Sequence, residues 1–363
     1  MWVYLNWALG LRSIGCKVLW VEGVVKGEWI PGGQDLSQRL ADLKARLAPY
    51  GLANHVVLWT AENVDLQPDP CLGACLPVDA VTDADLLLNI NYHMPTSVVA
   101  RFRRSALVDI DPGLLQTWVS DSAYNFALPR HDVYFTIGET VGQPGAKFPD
   151  LGIKWLYTPP CVSLDSWPLV RTEPPAPLTT VSHWYSGDWL RDDAGELVSN
   201  EKRTGFMQVL GLPRLTSVGL ELALQLREND EDDRVLLLNH GWRVRDAWAV
   251  TGTPWDYQRY VQASLGEFSC VKPSCVRFQN AWISDRTLCY LATGKPAVIE
   301  HTGASRFLPE REGLFRFRDL SEAVQCLKAL LEDYERHCRL ARGLAENYFD
   351  AKKVVTKVLE RSL

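Results

Sequence analysis

Short apolar runs of β type alternate with amphipathic stretches along almost the whole chain, and no other feature narrows its fold as far. A strand followed by a helix cannot close a hairpin with the next strand. It must cross over, and crossovers build parallel sheets covered by helices on both faces. In the first half, strands are expected at Lys17–Val21, His55–Trp59, Asp85–Ile90, Ala106–Ile110, Val133–Ile137 and Ile153–Tyr157, with helices at Asp35–Leu47 and Thr96–Arg104. In the second half they are expected at Leu178–Ser182, Val235–Asn239, Phe268–Val271, Pro296–Glu300 and Leu314–Phe317. Helices there are expected at Asp285–Ala292 and from Asp319 onward. Between the halves, Arg171–Pro177 puts three prolines in four residues, a stiff linker. The reading is α/β, with two Rossmann-like doubly wound domains facing a cleft. A first domain spans 1–170, the linker 171–177 and a second domain 178–345, and a helix at 346–363 packs back on the first domain.

One element is out of place. A doubly wound domain starts with a central strand and then a helix, yet Trp2 to Ile14 already reads as a helix through Val3, Leu5, Ala8, Leu9 and Leu11. Either the domain lacks its first strand, or, the favoured expectation, that strand lies upstream of Met1 as a short Val/Ile/Leu-rich run ending in a glycine turn.

Composition sets outer bounds. The 363 residues suit about two domains, and 38 basic against 44 acidic side chains leave a net charge of −6. Nucleic acid is therefore a poor candidate partner. No apolar run reaches the roughly 18–20 residues of a membrane span, and Met1-Trp2-Val3-Tyr4 does not read as a signal peptide. A cytoplasmic protein is expected. The nine cysteines fit reduced thiols; the spacings Cys71/Cys75 and Cys270/Cys275 are not those of a zinc site.

The segment Phe268 to Gly303 holds the most chemistry. It reads as strand, loop, helix N-terminus at Ser284-Asp285-Arg286, helix, Gly294-Lys295-Pro296 turn, strand and a His301-Thr302-Gly303 loop. A helix N-terminus at the carboxyl ends of strands is a ready anion site, and Lys272 and Arg286 would add cationic donors. Alone, these residues fit a simple capped helix better than an anion site.

Further segments remove that ambiguity. Leu107-Val108-Asp109-Ile110-Asp111-Pro112-Gly113 with Gln116, and His131 to Glu139, resemble the D-x-D-P-G…Q and H-D-x-x-F-T-x-G-E segments of a bacterial GT-B-type glycosyltransferase family. That family is related to the family 1/4 and spore-maturation-protein-like transferases. Phe307-Leu308-Pro309, Glu312-Gly313-Leu314-Phe315 and Ala345 to Asp350 are similar to its carboxyl half, and Asn200-Glu201-Lys202-Arg203 and His240 to Val244 also match. The resemblance implies a nucleotide-sugar donor held by the second domain and an acceptor held by the first. The missing first strand departs from the pattern.

Candidate residues follow from the rule that ligands bind at the carboxyl ends of the strands. Asp111, His93 and Glu139 are candidate catalytic groups, with Asp111 placed to take a proton from an acceptor hydroxyl. Candidate donor-binding residues are His183, His240, Gly241, Lys272, Ser284, Asp285, Arg286, Glu300, His301, Thr302 and Gly303. Asp109 and Asp111, two apart on a strand, share a face and would suit a metal. With a helix N-terminus and cations available for the diphosphate, no metal is expected, and the nucleoside-diphosphate sugar serves as co-substrate. Trp184, Trp189, Trp242 and Trp282 suit sugar stacking or core packing. The expected activity is metal-independent glycosyl transfer from a nucleoside-diphosphate sugar. The alternatives are a nucleotide-sugar epimerase of the same fold and a non-catalytic glycan-binding protein.

Overall fold

A computed structural model describes residues 1–24, 36–60, 75–187, 189–191 and 195–363. Cys71 and Asp35 lie outside the described residues. The first half opens with helix α1 (Trp2–Ser13) and continues through β1 (Trp20–Val24), α2 (Leu36–Leu47), β2 (Val56–Thr60), β3 (Leu87–Asn89) and α3 (Thr96–Val99). It ends with β4 (Ser105–Asp109), α4 (Leu114–Ser120), β5 (Val133–Thr136) and β6 (Trp155–Tyr157). All pairings are parallel, but they form two separate sheets, β1-β2 and β3-β4-β5-β6. Strand β4 is buried at every residue, as a strand covered on both faces must be.

The second half begins with β7 (Leu178–His183) and an antiparallel hairpin, β8 (Trp189–Arg191) and β9 (Leu197–Ser199). Then come α5 (Arg203–Gln208), β10 (Leu220–Gln225), α6 (Glu231–Asn239), β11 (Arg243–Asp246), α7 (Ala247–Thr251), α8 (Pro254–Gln262) and β12 (Gly266–Ser269). Helices α9 (Pro273–Phe278) and α10 (Asp285–Ala292) precede β13 (Ala297–Glu300) and β14 (Leu314–Phe317). Helices α11 (Leu320–Glu332), α12 (Tyr334–Leu344) and α13 (Ala351–Ser362) complete the chain. The six parallel strands run in the order β11-β10-β7-β12-β13-β14. Renumbered from β7, this is 3-2-1-4-5-6, the order of a doubly wound dinucleotide-type sheet.

Local chemistry accounts for the helix starts. Thr253 and Asp256 bond reciprocally ahead of α8, with Pro254 at its first position. Asp319 and Asp350 accept backbone N–H groups at the heads of α11 and α13. Helix α13 lies against α1 so closely that a Cβ on Gly10 would come within 2.8 Å of the Ala351 Cβ. The crossing is pinned by bonds from the Val162 N–H to the Phe349 carbonyl and from the Ala351 N–H to the Val162 carbonyl. A single apolar cluster joins Trp2, Leu5 and Trp20 of the first half to Leu288, Leu291 and Leu344 of the second.

Two expectations are corrected. The run at 235–239 is not a strand but the second half of α6, whose first turn carries Glu231, Asp232 and Asp233. Three acidic groups at a helix N-terminus favour the helix. The strands on either side are β10, with its alternating Leu220, Leu222 and Leu224, and β11. The helix expected at 96–104 is confined to α3 and gives way to turns once Val98 and Val99 are buried.

Candidate active site

One turn from each half frames the cleft. After β4 the chain runs Asp109-Ile110-Asp111-Pro112-Gly113; before α10 it runs through Gln279–Ser284. Asn280 is wholly buried. Its side-chain amide donates to the Pro112 carbonyl and accepts the Trp282 N–H at 3.1 Å, and its own carbonyl accepts the Glu139 N–H at 2.9 Å. Trp282 donates its indole N–H to the Ile110 carbonyl at 3.2 Å. Making these bonds forces Gln279 and Ala281 to φ of 49° and 58°, a region that non-glycine residues occupy only where the surroundings insist. Phe278 presses on Gly113, where φ is 89° and a Cβ would sit 2.5 Å from the ring.

This stitching places Asp111 opposite the start of α10. Ser284 caps that helix, its hydroxyl accepting the Arg286 N–H. Asp285 is pushed up to about 7, first by burial and then by the charge of Asp111. Its Oδ1 has no hydrogen-bond partner among the described residues. Asp285 thus shares the cleft with a second carboxyl group, Asp111, whose charge adds to the effect of burial in favouring the protonated form of Asp285.

Arg286 does not face water. It is largely covered, its side chain 10% exposed, with its Nε donating to Glu267 Oε1 at 2.7 Å and a terminal nitrogen donating to the Val181 carbonyl at 2.9 Å. The guanidinium therefore bridges Glu267, the second residue of β12, and Val181, near the carboxyl end of β7. Lys272 caps α9 just beyond β12. A third cation joins them. The ammonium of Lys202, at the head of α5, is pushed down to about 7 by burial and then by the charges of Arg286 and Lys272. Cys275, beside these cations, is raised to about 11, mainly by burial. Three like charges held together at strand ends form a site complementary to a polyanion.

The remaining candidates separate into scaffold and outliers. Glu300 accepts the Val271 N–H at 2.9 Å, and burial raises its pKa. Thr302 is fully buried, donates to the Trp282 carbonyl, and accepts the Ala281 N–H. Gly303 adopts φ 120°, and a Cβ there would come within 2.6 Å of the Gln279 carbonyl. His301 is buried and accepts the Gly303 N–H at 3.2 Å; burial, then Arg318, lowers its pKa. These four residues shape the loop that carries Asn280 and Trp282. His183 ends β7 and is exposed. His240 and Gly241 belong elsewhere: they end α6, with His240 Nδ1 against the Leu236 carbonyl at 2.8 Å. That puts them at the opposite sheet edge from the cleft, because a crossover helix ends where the next strand begins.

In the first half, Glu139 is 3% exposed, and its oxygens accept the Ser305 hydroxyl at 2.5 Å and the Arg306 N–H at 2.7 Å. It clasps the two halves, which leaves little of its carboxylate for proton transfer. His93 is exposed and sits edge-on to Phe126. Asp109 is fully buried and accepts from Gln116, Thr136 and the Asp111 N–H at 2.9–3.0 Å. Burial raises it to about 7. Asp109 thus anchors the turn beneath Asp111 instead of facing the cleft beside it. Among the described residues, no group of three or more His, Cys, Asp or Glu is placed to hold a metal ion. Trp184 and Trp242 are core residues, 0% and 2% exposed; the Trp189 side chain is outside the described set.

Lys202, Glu267 and Asn280 were not readable as site residues. Lys202 stands between Glu201 and Arg203 in an ordinary polar run, and only the resemblance of Asn200–Arg203 marked that segment. Glu267 and Asn280 matter through tertiary contacts alone.

No protein-family model and no curated protein sequence matches this chain. Solved structures do. HepE of Anabaena in complex with UDP-glucose is similar over 95% of this chain and 99% of its own, at 14% identity and a TM-score of 0.54. Sucrose-phosphate synthase of Thermosynechococcus elongatus is similar over 94% and 98%, at 11% identity and a TM-score of 0.53. A glycosyltransferase of Rickettsia africae is similar over 95% and 98%, at 10% identity and a TM-score of 0.50. At such identities the likeness establishes the fold, and that fold is GT-B.

Proposed function

We propose that this GT-B chain transfers a glycosyl group from a nucleoside-diphosphate sugar to an acceptor, without a metal ion. The observation that carries the reading is the convergence of Lys202, Lys272 and Arg286 beside the N-terminus of α10. Glu267 offsets the charge of Arg286, and the cationic cluster as a whole suits an anion with the charge of a diphosphate. The UDP-glucose bound by the similar HepE supports the same ligand class.

In this reading the sugar–phosphate bond breaks with its electron pair going to the diphosphate, whose charge the three cations and the α10 N-terminus stabilise. The acceptor hydroxyl forms the new bond to the sugar carbon and gives its proton to Asp111. Asp285, with its raised pKa, is the neighbouring group that can share that proton. Asp109, already saturated with donors, is left out of metal chemistry.

The test is a thermal-shift screen against UDP, GDP, ADP and TDP and their sugars. A specific ligand at 100 times its Kd should add about 2.7 kcal/mol of apparent stability, seen as a clear rise in Tm for one nucleotide. No response to any of the four would overturn the donor assignment.

A further inference from the structure

The turn that carries Asp111 is gripped from both halves. Toward the second half it offers carbonyls: Ile110 accepts the Trp282 indole N–H at 3.2 Å, and Pro112 accepts the Asn280 amide. Toward the first half it offers N–H groups, and one side chain takes two of them. The Tyr92 hydroxyl oxygen accepts the Ile110 N–H at 2.6 Å and the Asp111 N–H at 2.9 Å. With two donors on that oxygen, what remains to the phenol is its single proton. The acceptors in its reach are two carboxylates, Asp109 Oδ1 at 3.4 Å and Asp111 Oδ2 at 3.5 Å. Both distances are long for an O–H···O bond, as suits one proton lying between two acceptors.

Local chemistry delivers Tyr92 to this point. Past β3, the Asn89 side chain accepts the Asn91 N–H at 2.9 Å, and the Asn91 side chain accepts the His93 N–H at 3.0 Å. Two such Asx turns in succession hold Tyr92 between them. Its ring, 7% exposed, packs among Leu107, Leu115, Val141 and Trp155. That packing is apolar and needs no hydroxyl. A phenylalanine would fill the same space without the cost of burying an O–H, so the turn and its carboxylates are what the hydroxyl serves. Burial, then the charges of Asp111 and Asp109, hold the phenol well above the usual tyrosine range. It therefore stays a donor wherever the carboxylates titrate.

We propose that Tyr92 is a positioning residue for the transfer reaction, fixing the Asp111 turn and sharing one phenolic proton between the Asp109 and Asp111 carboxylates. The proposal rests on the reading of Asp111 as the group that takes the acceptor proton. While Asp111 is charged, the phenol O–H turns to it and stabilises the charge. The acceptor O–H bond then breaks, its electron pair stays on the acceptor oxygen, and its proton goes to Asp111. The neutral Asp111 is the weaker acceptor, and the phenol O–H swings to Asp109 without breaking. The two carboxylates thereby titrate as a pair coupled through Tyr92. The other titratable groups that sense the Asp111 charge are Tyr4 of α1, Cys275 of α9 and Asp285 at the head of α10. They are common to the wild type and to any Tyr92 variant, so a difference between the two reports on Tyr92.

The test follows the carboxyl carbons of isotope-labelled aspartate by NMR across pH in the full 363-residue chain, with Asp109→Asn and Asp111→Asn assigning the two signals. Tyr92→Phe keeps the ring and removes the proton. It should raise the two midpoints by about half to one pH unit in total, the effect of one hydrogen bond lost to the charged form. A tyrosine fluorinated beside its hydroxyl keeps the shape and donates more strongly, so at this position it should lower them. A hydroxyl that served the fold alone would change the melting temperature of Tyr92→Phe and leave both midpoints in place, and that result overturns the proposal. Should Tyr92→Phe not fold, unmoved midpoints in the fluorinated protein overturn it equally. The transfer reading fails on a different result, the absence of any nucleotide response in the unmodified chain, on which the carboxyl midpoints do not depend.

Discussion

Replacing Lys202 with methionine separates its electrostatic role from its packing, since methionine keeps the length and loses the charge. In the free protein the Lys202 ammonium sits near pKa 7, against the 10.5 of an ordinary lysine. The difference of about 3.5 pKa units, at 1.36 kcal/mol each, sets a ceiling of about 5 kcal/mol on the cost of holding that charge in the fold. The residue keeps some contact with solvent, so roughly half that figure is realistic. The sign follows from linkage. A lysine whose folded pKa is depressed costs stability below pH 7, and the cost is relieved as pH rises from about 7 toward 10.5. A bound diphosphate restores the charged form, so binding takes up a proton. The wild-type affinity for UDP, or for whichever nucleotide the screen selects, should fall by up to tenfold per pH unit above 7. Phosphate itself, with a second pKa near 6, no longer titrates there. In Lys202→Met the affinity at pH 7 should drop by about 1.5–3 kcal/mol, the slope between pH 7 and 9 should flatten, and the ligand-free protein should gain on the order of 2 kcal/mol. Calorimetric titrations at pH 7, 8 and 9, with thermal melts of the ligand-free proteins, read all three quantities. An unchanged affinity with an unchanged pH slope would refute the placing of Lys202 in the anion site.

Two further outcomes follow from the same geometry. Arg286→Met strands the fully buried Glu267 and should destabilise the fold by about 3–5 kcal/mol; adding Glu267→Gln should recover much of that stability, but not nucleotide binding. Recovery of binding in the double variant would show that Arg286 serves only the fold. Because Asp109 is saturated by Gln116, Thr136 and a backbone N–H, turnover of the selected nucleotide sugar should survive EDTA, and loss of turnover that manganese restores would return Asp109 and Asp111 to a metal.

The alternation of apolar runs with amphipathic ones was enough to settle two α/β halves built on parallel sheets, because side-chain periodicity is a local property that burial enforces. The same local logic located the cap at Ser284, the turn after β4 and the end of α10 at Gly294. It failed at 235–239, where a run of leucines suits either state and the acidic residues ahead of it tipped the balance to a helix. The site divides along the same line. Lys272, Ser284, Asp285 and Asp111 were legible because they stand at strand ends or helix starts, which sequence can place. Which charges are buried, and against what, was decided only by the packed tertiary structure. Glu139 turned from a candidate base into a clasp when Ser305 and Arg306, 166 and 167 residues away, closed on it. His240 left the cleft once its run became a helix. Lys202 entered it through the approach of Lys272 and Arg286 across the sheet. Long-range pairing sets the solvation of each charge, and solvation sets its chemistry. A one-dimensional pattern carries the first only where residues are neighbours in the chain.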